Sequence, residues 1–599
     1  MGYTYDKPDN LVELIQNSVE KYADRPLFGT KNANGEYEWV TYREVGERTD
    51  HLRGGLATLG IDKGDAVGII ANNRTEWAIA AFATYGLGGR FIPMYENELV
   101  KIWKYIIING NIRVLLVATQ EIYDQVQAFR SETPELEAVY LIPGDGENTM
   151  KGLEQKGQAQ PVPATPQKPD DIAVLIYTSG TTGNPKGVLL SHGNFSSNFQ
   201  SGGRLYPQLG PDSRSISILP WAHSFGQTAE LYNFIWHGGS VGFMENVTTL
   251  ADDMAKLRPT FLIGVPRIFN KIYDGLRTKM DDTGGIAKKL FTMGVESAKR
   301  RRELAEQGKS EFLTNLKFGL ADKVVFQKVR DRFGGQLLGA ISGSATMNVE
   351  ISHFFNDIGI PIYDCYGLTE TSPAATMNCP AAHRPGSVGK PLDQVRVVID
   401  KELSEPGADD GEIIIYGPNV MHGYHNNPEA TQEVMTEDGG FRTGDRGRLD
   451  EDGYLHITGR IKEQYKLENG KYVFPVALEE EIKLNSWVEH AMIYGEGKAY
   501  NVCLVVPDML VLEKYAKEKQ LPGTPEEWIL RQDLQEIMER DIVWSLKGKF
   551  GGYEIPKKFI WLTEEFSLEN GMLTQTMKLK RRGVMAQHGQ KIESLYAKR

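Results

Sequence analysis

The sequence predicts an α/β protein of at least two domains. Short β-branched runs alternate with segments whose apolar residues recur at helical spacing, the pattern of a mostly parallel sheet covered by helices. At 599 residues the chain exceeds what one compact core sustains. Its 41% hydrophobic and 24% charged residues are ordinary for a globular protein in water.

Bulk properties narrow the function classes. The net charge of −12 argues against a general nucleic-acid binder. Cys365, Cys379 and Cys503 have neither metal-ligand spacing nor a disulfide pattern, which suits a reducing, cytoplasmic setting. Residues 1–10 are polar, so no signal-peptide core is expected. No run reaches the roughly 18 apolar residues of a spanning helix, so any membrane contact is expected to be peripheral, at the inner face.

Taken in order, Leu11–Tyr22 and residues 42–59 read as helices, 66–71 as a strand and 77–87 as an apolar helix. Residues 90–94, 113–118 and 138–142 read as strands. Residues 157–171 carry Pro161, Pro163, Pro166 and Pro169 and read as an extended linker. It leads into Tyr177-Thr-Ser-Gly-Thr-Thr-Gly-Asn-Pro-Lys-Gly187, flanked by apolar runs at 172–176 and 188–190, hence a loop between two strands. Gly180, Gly183 and Gly187 let the backbone curl so that N–H groups converge on an anion. Thr178, Ser179, Thr181 and Thr182 add hydroxyl donors, and Lys186 adds a positive charge. This is a phosphate-gripping loop. It is not a Walker A loop, because Pro185 precedes Lys186, Gly187 follows it, and a strand rather than a helix comes next.

Residues 215–219 read as a strand ending in Pro220-Trp-Ala-His-Ser-Phe-Gly226, which puts His223 and Phe225 where α/β sheets often meet ligands. On spacing alone such a histidine is more often structural. Residues 258–273 read as a strand, a turn at Pro266 and a helix, and residues 288–333 as a long polar helical stretch containing Lys299-Arg-Arg-Arg302. A basic helix can rest on an anionic membrane surface. Here the four charges are sequential rather than on one face, with Glu303 and Glu306 close by, which favours a solvated helix face.

Residues 337–342 and 361–365 read as strands ending in Gly343-Ser344-Ala345 and Tyr366-Gly-Leu-Thr-Glu-Thr371. Small residues let a flat purine approach the backbone, and Tyr366 offers a ring to stack on it. Thr369 can donate to a phosphate, and Glu370 is a hard oxygen ligand suited to Mg²⁺. A strand at 413–416 and the turn from Gly417 to Tyr424 precede Phe441-Arg-Thr-Gly-Asp445. A carboxylate accepts two bonds, so Asp445 can hold both hydroxyls of a ribose, although an Asp after Gly is usually a turn residue. Residues 454–458 read as a strand running into Gly459-Arg-Ile-Lys-Glu463. Glu479, Glu480 and Glu481 read as the opening of a helix, and 491–494 and 502–506 as strands. The tail carries Lys578, Lys580 and Arg581 and on residues alone is an ordinary solvated basic segment.

In this order, over residues 11–582, the motifs resemble the adenylate-forming superfamily of acyl-CoA synthetases, luciferases and peptide-synthetase adenylation domains. The 258–273 segment, the long helical insert and Leu573-Thr-Gln-Thr-Met-Lys578 resemble its long-chain fatty acyl-CoA synthetase branch; Met577 stands where the wider family usually has Gly. The resemblance implies a large N-terminal α/β domain of several sheets over 1–459, holding the ATP and acyl pockets. A hinge over 460–463 and a small mobile α+β domain over 464–599 would complete the chain. It implies an AMP-forming acid–CoA ligase using ATP, Mg²⁺ and coenzyme A on a hydrophobic acid, foremost a medium- or long-chain fatty acid. The loop from Thr178 to Lys186 would hold the phosphates. Gly343, Ser344, Ala345, Asp364, Tyr366, Gly367, Thr369, Asp445, Ile457 and Arg460 would hold the rest of the nucleotide. Glu370 would bind the metal and His223 would line the acyl pocket near the reacting carboxylate. Lys578, with Lys580 as competitor, would bridge carboxylate and α-phosphate, so that Lys578, Thr178, Glu370 and His223 form the catalytic set. Rotation about Glu463, where the family most often has Asp, would then present the turn at 467–475 for thioester formation. The rivals are a CoA ligase for an aromatic or alicyclic acid, an acyl-AMP ligase loading a carrier protein, and a non-catalytic lipid- or nucleotide-binding relative.

Overall fold

The computed structural model describes residues 5–178, 184–345, 347–402, 407–461, 463–574 and 578–596. The chain forms two compact units. The first takes the chain up to Val398 together with Ile414–Thr443 and Leu449–His456; the second takes Ile399–Ile413, Gly444–Arg448 and the chain from Ile457 onward.

In the first unit the apolar runs become a six-stranded sheet in the order Ala138–Leu141, Ile112–Val117, Ala66–Ile70, Arg90–Met94, Ile172–Thr178, Lys186–Ser191. All neighbours are parallel except the last pair. Ala66–Ile70 is buried at every position, as a central parallel strand covered on both faces must be. The Thr75–Gly86 helix is buried at every position but Glu76, so its sequence is apolar all round rather than amphipathic. Its Trp77 packs edge-on against Phe91 and Trp221, with centroids 5.0 and 5.6 Å away.

A second sheet runs Phe261–Gly264, Gly339–Ser342 and Ile362–Gly367 in parallel, then Ala374–Met377 and Lys390–Pro391 antiparallel. A third, of four strands, joins Tyr37–Thr41, Pro26–Lys31, Ser240–Phe243 and Arg214–Ser217.

In the second unit Val488–Tyr494, Val502–Pro507 and Lys558–Trp561 form a three-stranded sheet with helices on both faces. Period-two alternation sorts its side chains. Ala491, Ile493, Cys503 and Val505 enter a core with Leu478 and Ile542, whereas Met492, Val502, Leu504 and Val506 face Met572, Val584 and Ile592. The architecture is the expected mixture, several α/β sheets first and a smaller α+β unit after.

Some local expectations are corrected. The helix Met150–Ala159 occupies the start of the proline-rich segment, so the extended stretch begins at residue 160. The long polar stretch is helical as expected but interrupted: Gly285–Glu306 ends before Gly308, which takes φ 66°, and Phe312–Ala321 then continues through Asp322–Phe326 into Gln327–Arg332. The three glutamates close the helix Pro475–Ile482 rather than open it, because Pro475 occupies the first helical position, where its fixed φ and missing N–H fit. Among the described residues no helix is long and apolar enough to cross a membrane.

Candidate functional site

The strands flanking the predicted phosphate loop pair antiparallel, with Thr178 opposite Lys186 and Tyr177 opposite Gly187. The loop is the link of a hairpin; Ser179, Gly180, Thr181, Thr182 and Gly183 lie outside the described residues. Residues 422–425 run beside the second strand. Leu189 N–H donates to Gly423 C=O at 2.9 Å, His422 N–H to Leu189 C=O at 3.0 Å and His425 N–H to Gly187 C=O at 2.7 Å. This register sets Tyr424 against Val188, close to Lys186. The Lys186 ammonium lies 4.8 Å from the Tyr424 ring centroid, and the Tyr424 hydroxyl donates to Glu370 Oε1 at 2.9 Å. Met421 N–H donates to the Glu370 carbonyl at 2.9 Å. One buried ring therefore joins the loop cation to the candidate metal carboxylate. Burial, with the Glu370 charge beside it, raises the Tyr424 hydroxyl far above its usual range, so it stays a donor.

The two small-residue turns share one sheet edge. Gly339–Ser342 and Ile362–Gly367 are parallel with Ser342 opposite Asp364, so Gly343-Ser344-Ala345 and Tyr366 to Glu370 emerge together at strand C-termini, where open α/β sheets bind ligands. A Cβ at Gly343 would lie 2.8 Å from Cys365 Sγ and 3.1 Å from the Phe225 ring; one at Gly367 would lie 1.7 Å from Pro373 O. Thr369 is buried and its hydroxyl pairs with Ser224 at 3.4 Å, which ties this turn to the His223 segment. Asp364 is buried within the sheet; burial pushes its carboxyl up to about 8, with the Ser342 hydroxyl drawing it partly back.

His223 is half-buried, and its Nδ1 accepts the Phe225 N–H at 3.2 Å. In the neutral ring the proton therefore sits on Nε2. The segment is clamped from behind by a carboxyl that sequence reasoning did not single out. Glu230, fully buried, accepts from Trp221 Nε1–H at 2.9 Å, Ser217 Oγ–H at 2.6 Å and Ser215 Oγ–H at 3.2 Å. Asn73 Oδ1 accepts the Trp221 N–H, and Asn73 Nδ2 donates to Ser217 Oγ and to the Leu219 carbonyl, all at 2.7 Å. Burial pushes Glu230 up to about 7, against the pull of its three donors. A lone charged residue in the mostly apolar 229–236 run was the signal available for it.

The remaining candidates lie in the second unit. Asp445 is buried and accepts from Arg460 Nε at 2.9 Å. Arg460 Nη1 also approaches Glu463 Oε1 at 3.7 Å, and Glu463 Oε2 is 3.7 Å from Arg581 Nε. Arg581 in turn holds both oxygens of the buried Glu479 at 2.7 and 2.6 Å and donates to the Ile493 carbonyl at 3.0 Å. Arg581, three residues after Lys578, is thus a packing anchor, and Glu463 sits between two guanidinium groups. Ile457 is half-buried on the Leu455–Arg460 strand, and a Cβ at Gly459 would meet Phe474 Cδ1 at 2.6 Å. Lys578 is exposed, and its N–H donates to Thr574 Oγ1 at 3.0 Å while the Thr574 N–H donates to the Lys578 carbonyl at 2.8 Å; Gln575, Thr576 and Met577 lie outside the described residues. Among the described residues no three His, Cys, Asp or Glu side chains gather as a metal cage. A Mg²⁺ at Glu370 would therefore share its coordination with substrate phosphates and water, as is usual for this ion.

The chain matches the AMP-binding enzyme family over residues 15–425 and the AMP-binding enzyme C-terminal domain over residues 462–542. It is 30% identical to the peroxisomal long chain acyl-CoA synthetase 7 of Arabidopsis thaliana over 98% of this chain and 86% of that protein. It is also 30% identical to the long-chain-fatty-acid–CoA ligase FadD15 of Mycobacterium bovis, over 100% of this chain and 98% of that one. Among solved structures, the adenylation domain of a carboxylate reductase from Mycobacterium chelonae superposes with a TM-score of 0.80 at 24% identity, covering 98% of this chain and 91% of that one. An anthranilate CoA ligase does so with a TM-score of 0.73 at 20% identity, covering 99% and 97%. At these identities the structures share the fold.

Proposed function

This chain belongs to the AMP-binding enzyme family, and from that premise we infer how its residues divide an AMP-forming acyl-CoA synthetase reaction among themselves. It is an ATP-dependent acid–CoA ligase acting on fatty acids. The observation that carries this is kinship at 30% identity, end to end, with long-chain ligases.

A carboxylate is a poor acyl donor, because hydroxide leaves badly. In the first half-reaction a carboxylate oxygen of the acid attacks the α-phosphorus of ATP, pyrophosphate leaves, and an acyl-adenylate forms. No protein nucleophile is needed; positioning and charge stabilisation supply the catalysis. Thr178, Lys186 and the loop between them hold the β- and γ-phosphates. The ring of Tyr424 keeps Lys186 and Glu370 in mutual register. Mg²⁺ held at Glu370 would offset phosphate charge. His223 orients the carboxylate, and Gly343 to Ala345, Tyr366 and Gly367 receive the purine. Lys578 meets the charge building between carboxylate and α-phosphate, and Asp445 takes the ribose. In the second half-reaction the thiol sulfur of coenzyme A attacks the adenylate carbonyl and AMP leaves. Residues 460–463 act as the hinge that withdraws Lys578 and presents the turn at 467–475.

An end-point assay tests the reading. ATP, Mg²⁺ and coenzyme A are incubated with a panel from acetate to oleate that includes benzoate and cyclohexane carboxylate, with AMP and thioesters read by mass spectrometry. AMP with a thioester of the longer acids supports it. Adenylate without thioester would point to carrier-protein loading instead, and preference for benzoate would move the substrate class to aromatic acids.

A further inference from the structure

The helix Phe312–Ala321 presents apolar side chains to water. Phe312, Leu313, Leu316 and Leu320 are 79, 61, 60 and 52% exposed, and Val324 on the following turn is 38% exposed. Positions 312, 316 and 320 recur every four residues and form one stripe, with Leu313 alongside. The opposite face is already used. Thr314 and Ala321 are buried, Phe318 lies under the Arg301 guanidinium at 4.1 Å, and a Cβ at Gly294 would meet Ala321 and Phe326 at 2.7 Å. The exposed stripe is therefore not the core face of a helix turned the wrong way.

Charge marks what the stripe fits. No acidic residue occurs from Phe312 to Ala321; the bounding Glu311 and Asp322 are engaged by Thr314 and Arg330, and the exposed side chains of Lys317 and Lys323 border the apolar residues. In the basic run noted in the sequence, three arginines are engaged: Arg302 pairs with Asp357, Arg301 covers Phe318, and Arg300 approaches Glu303 and Glu311 at 3.8 and 3.9 Å. The free basic margin lies one helix later, next to the leucines.

We propose that this helix is a docking surface for an anionic lipid bilayer. Leu316, Leu320 and Phe312 enter the boundary between headgroups and acyl chains, while Lys317 and Lys323 extend to lipid phosphates. A second copy of the chain fits less well, because two-fold pairing would set Lys317 and Lys323 against their own copies. The helix sits in the first unit, between the Phe261–Gly264 and Gly339–Ser342 strands in sequence. Arg302 to Asp357 ties its neighbour helix to the Val349–Asp357 helix, which leads into the strand ending at Tyr366-Gly367. Docking does not depend on the ligase reading. Its use, collection of a fatty acid from the bilayer, rests on it.

The test is co-sedimentation of the full chain with vesicles of phosphatidylcholine alone or with one third phosphatidylglycerol. The wild type is expected to bind the anionic vesicles, less so as salt rises, and the neutral ones weakly. Leu316→Asn with Leu320→Asn should weaken binding by at least about tenfold. Lys317→Gln with Lys323→Gln should weaken it about 25-fold on anionic vesicles and hardly at all on neutral ones. Circular dichroism and turnover of octanoate without vesicles, read in parallel, should match wild type, which separates failed docking from a failed ligase assignment. Equal wild-type binding to both vesicles, or wild-type binding by the leucine variant, overturns the proposal. So does a wild-type oligomer, seen by sedimentation velocity, that the leucine variant dissociates.

Discussion

Tyr424→Phe removes one oxygen atom from the Lys186–Tyr424–Glu370 arrangement and leaves the ring. The lost bond runs from the Tyr424 hydroxyl to Glu370 Oε1 at 2.9 Å. Hydrogen bonds to charged groups contribute about 1.5–3 kcal/mol. If that bond serves to hold the carboxylate where metal and phosphates need it, kcat/KM for adenylation falls about tenfold to a hundredfold, at about 1.4 kcal/mol per decade. The contact with the Lys186 ammonium at 4.8 Å remains, because it depends on the ring face. The substitution conserves volume, so Tm should stay within a few degrees. The hydroxyl is held protonated well past neutral pH, so the deficit should be the same at pH 7 and pH 9. The assay is pyrophosphate release with octanoate and ATP across a Mg²⁺ titration. A deficit that shrinks as Mg²⁺ rises places the effect on Glu370. Wild-type rates at limiting Mg²⁺ would refute the reasoning, and so would a lost activity that tracks a lowered Tm, since the bond would then be serving the fold.

The other predictions concern a buried carboxyl and two residues of the second unit. Glu230 stands at about 7 in the folded chain against 4.5 for the free group. The folded state therefore holds a proton that the unfolded chain has released between those pH values. Its contribution, about 3 kcal/mol for a shift of about 2.5 units, is full below about pH 4.5 and is lost as pH rises through about 7. Glu230→Gln should flatten that part of the stability profile in urea melts from pH 4.5 to 8; an unchanged difference between the ends would refute it. Lys578→Ala should slow adenylation about 10²–10³-fold while sparing thioester formation from supplied acyl-adenylate; an equal loss in both steps would remove the assignment. Asp445→Ala should weaken ATP binding, read by calorimetry, and an unchanged affinity would reject the ribose role.

What the sequence made legible is what neighbouring residues write together. The strand–helix alternation was readable because burial imposes its period locally. The turn at Tyr366 to Glu370 was readable because small residues at a strand end have a local cause, here a Pro373 carbonyl that leaves no room for a Cβ at Gly367. The rest depends on partners far along the chain. Tyr424 meets Glu370 across 54 positions and Trp221 meets Asn73 across 148, and no spacing rule joins them. Both are set by strand and loop packing: Tyr424 by its pairing beside Val188, Trp221 by the sheet edge that carries Ser217.

The three glutamates at 479–481 show how local and distant causes are ranked. Acidic residues favour a helix N-terminus by about 0.3–1 kcal/mol each when exposed, which is the basis for reading them as a helix opening. Against that stand Pro475 at the first helical position and the burial of Leu478 and Ile482, each worth more than a surface dipole contact. Glu479 is itself buried and answered by Arg581, 102 residues later. A buried carboxylate in that position requires its cation, because removing one partner of a buried pair leaves an uncompensated charge. Arg581, fixed on Glu479 and the Ile493 carbonyl, anchors the chain three residues after Lys578.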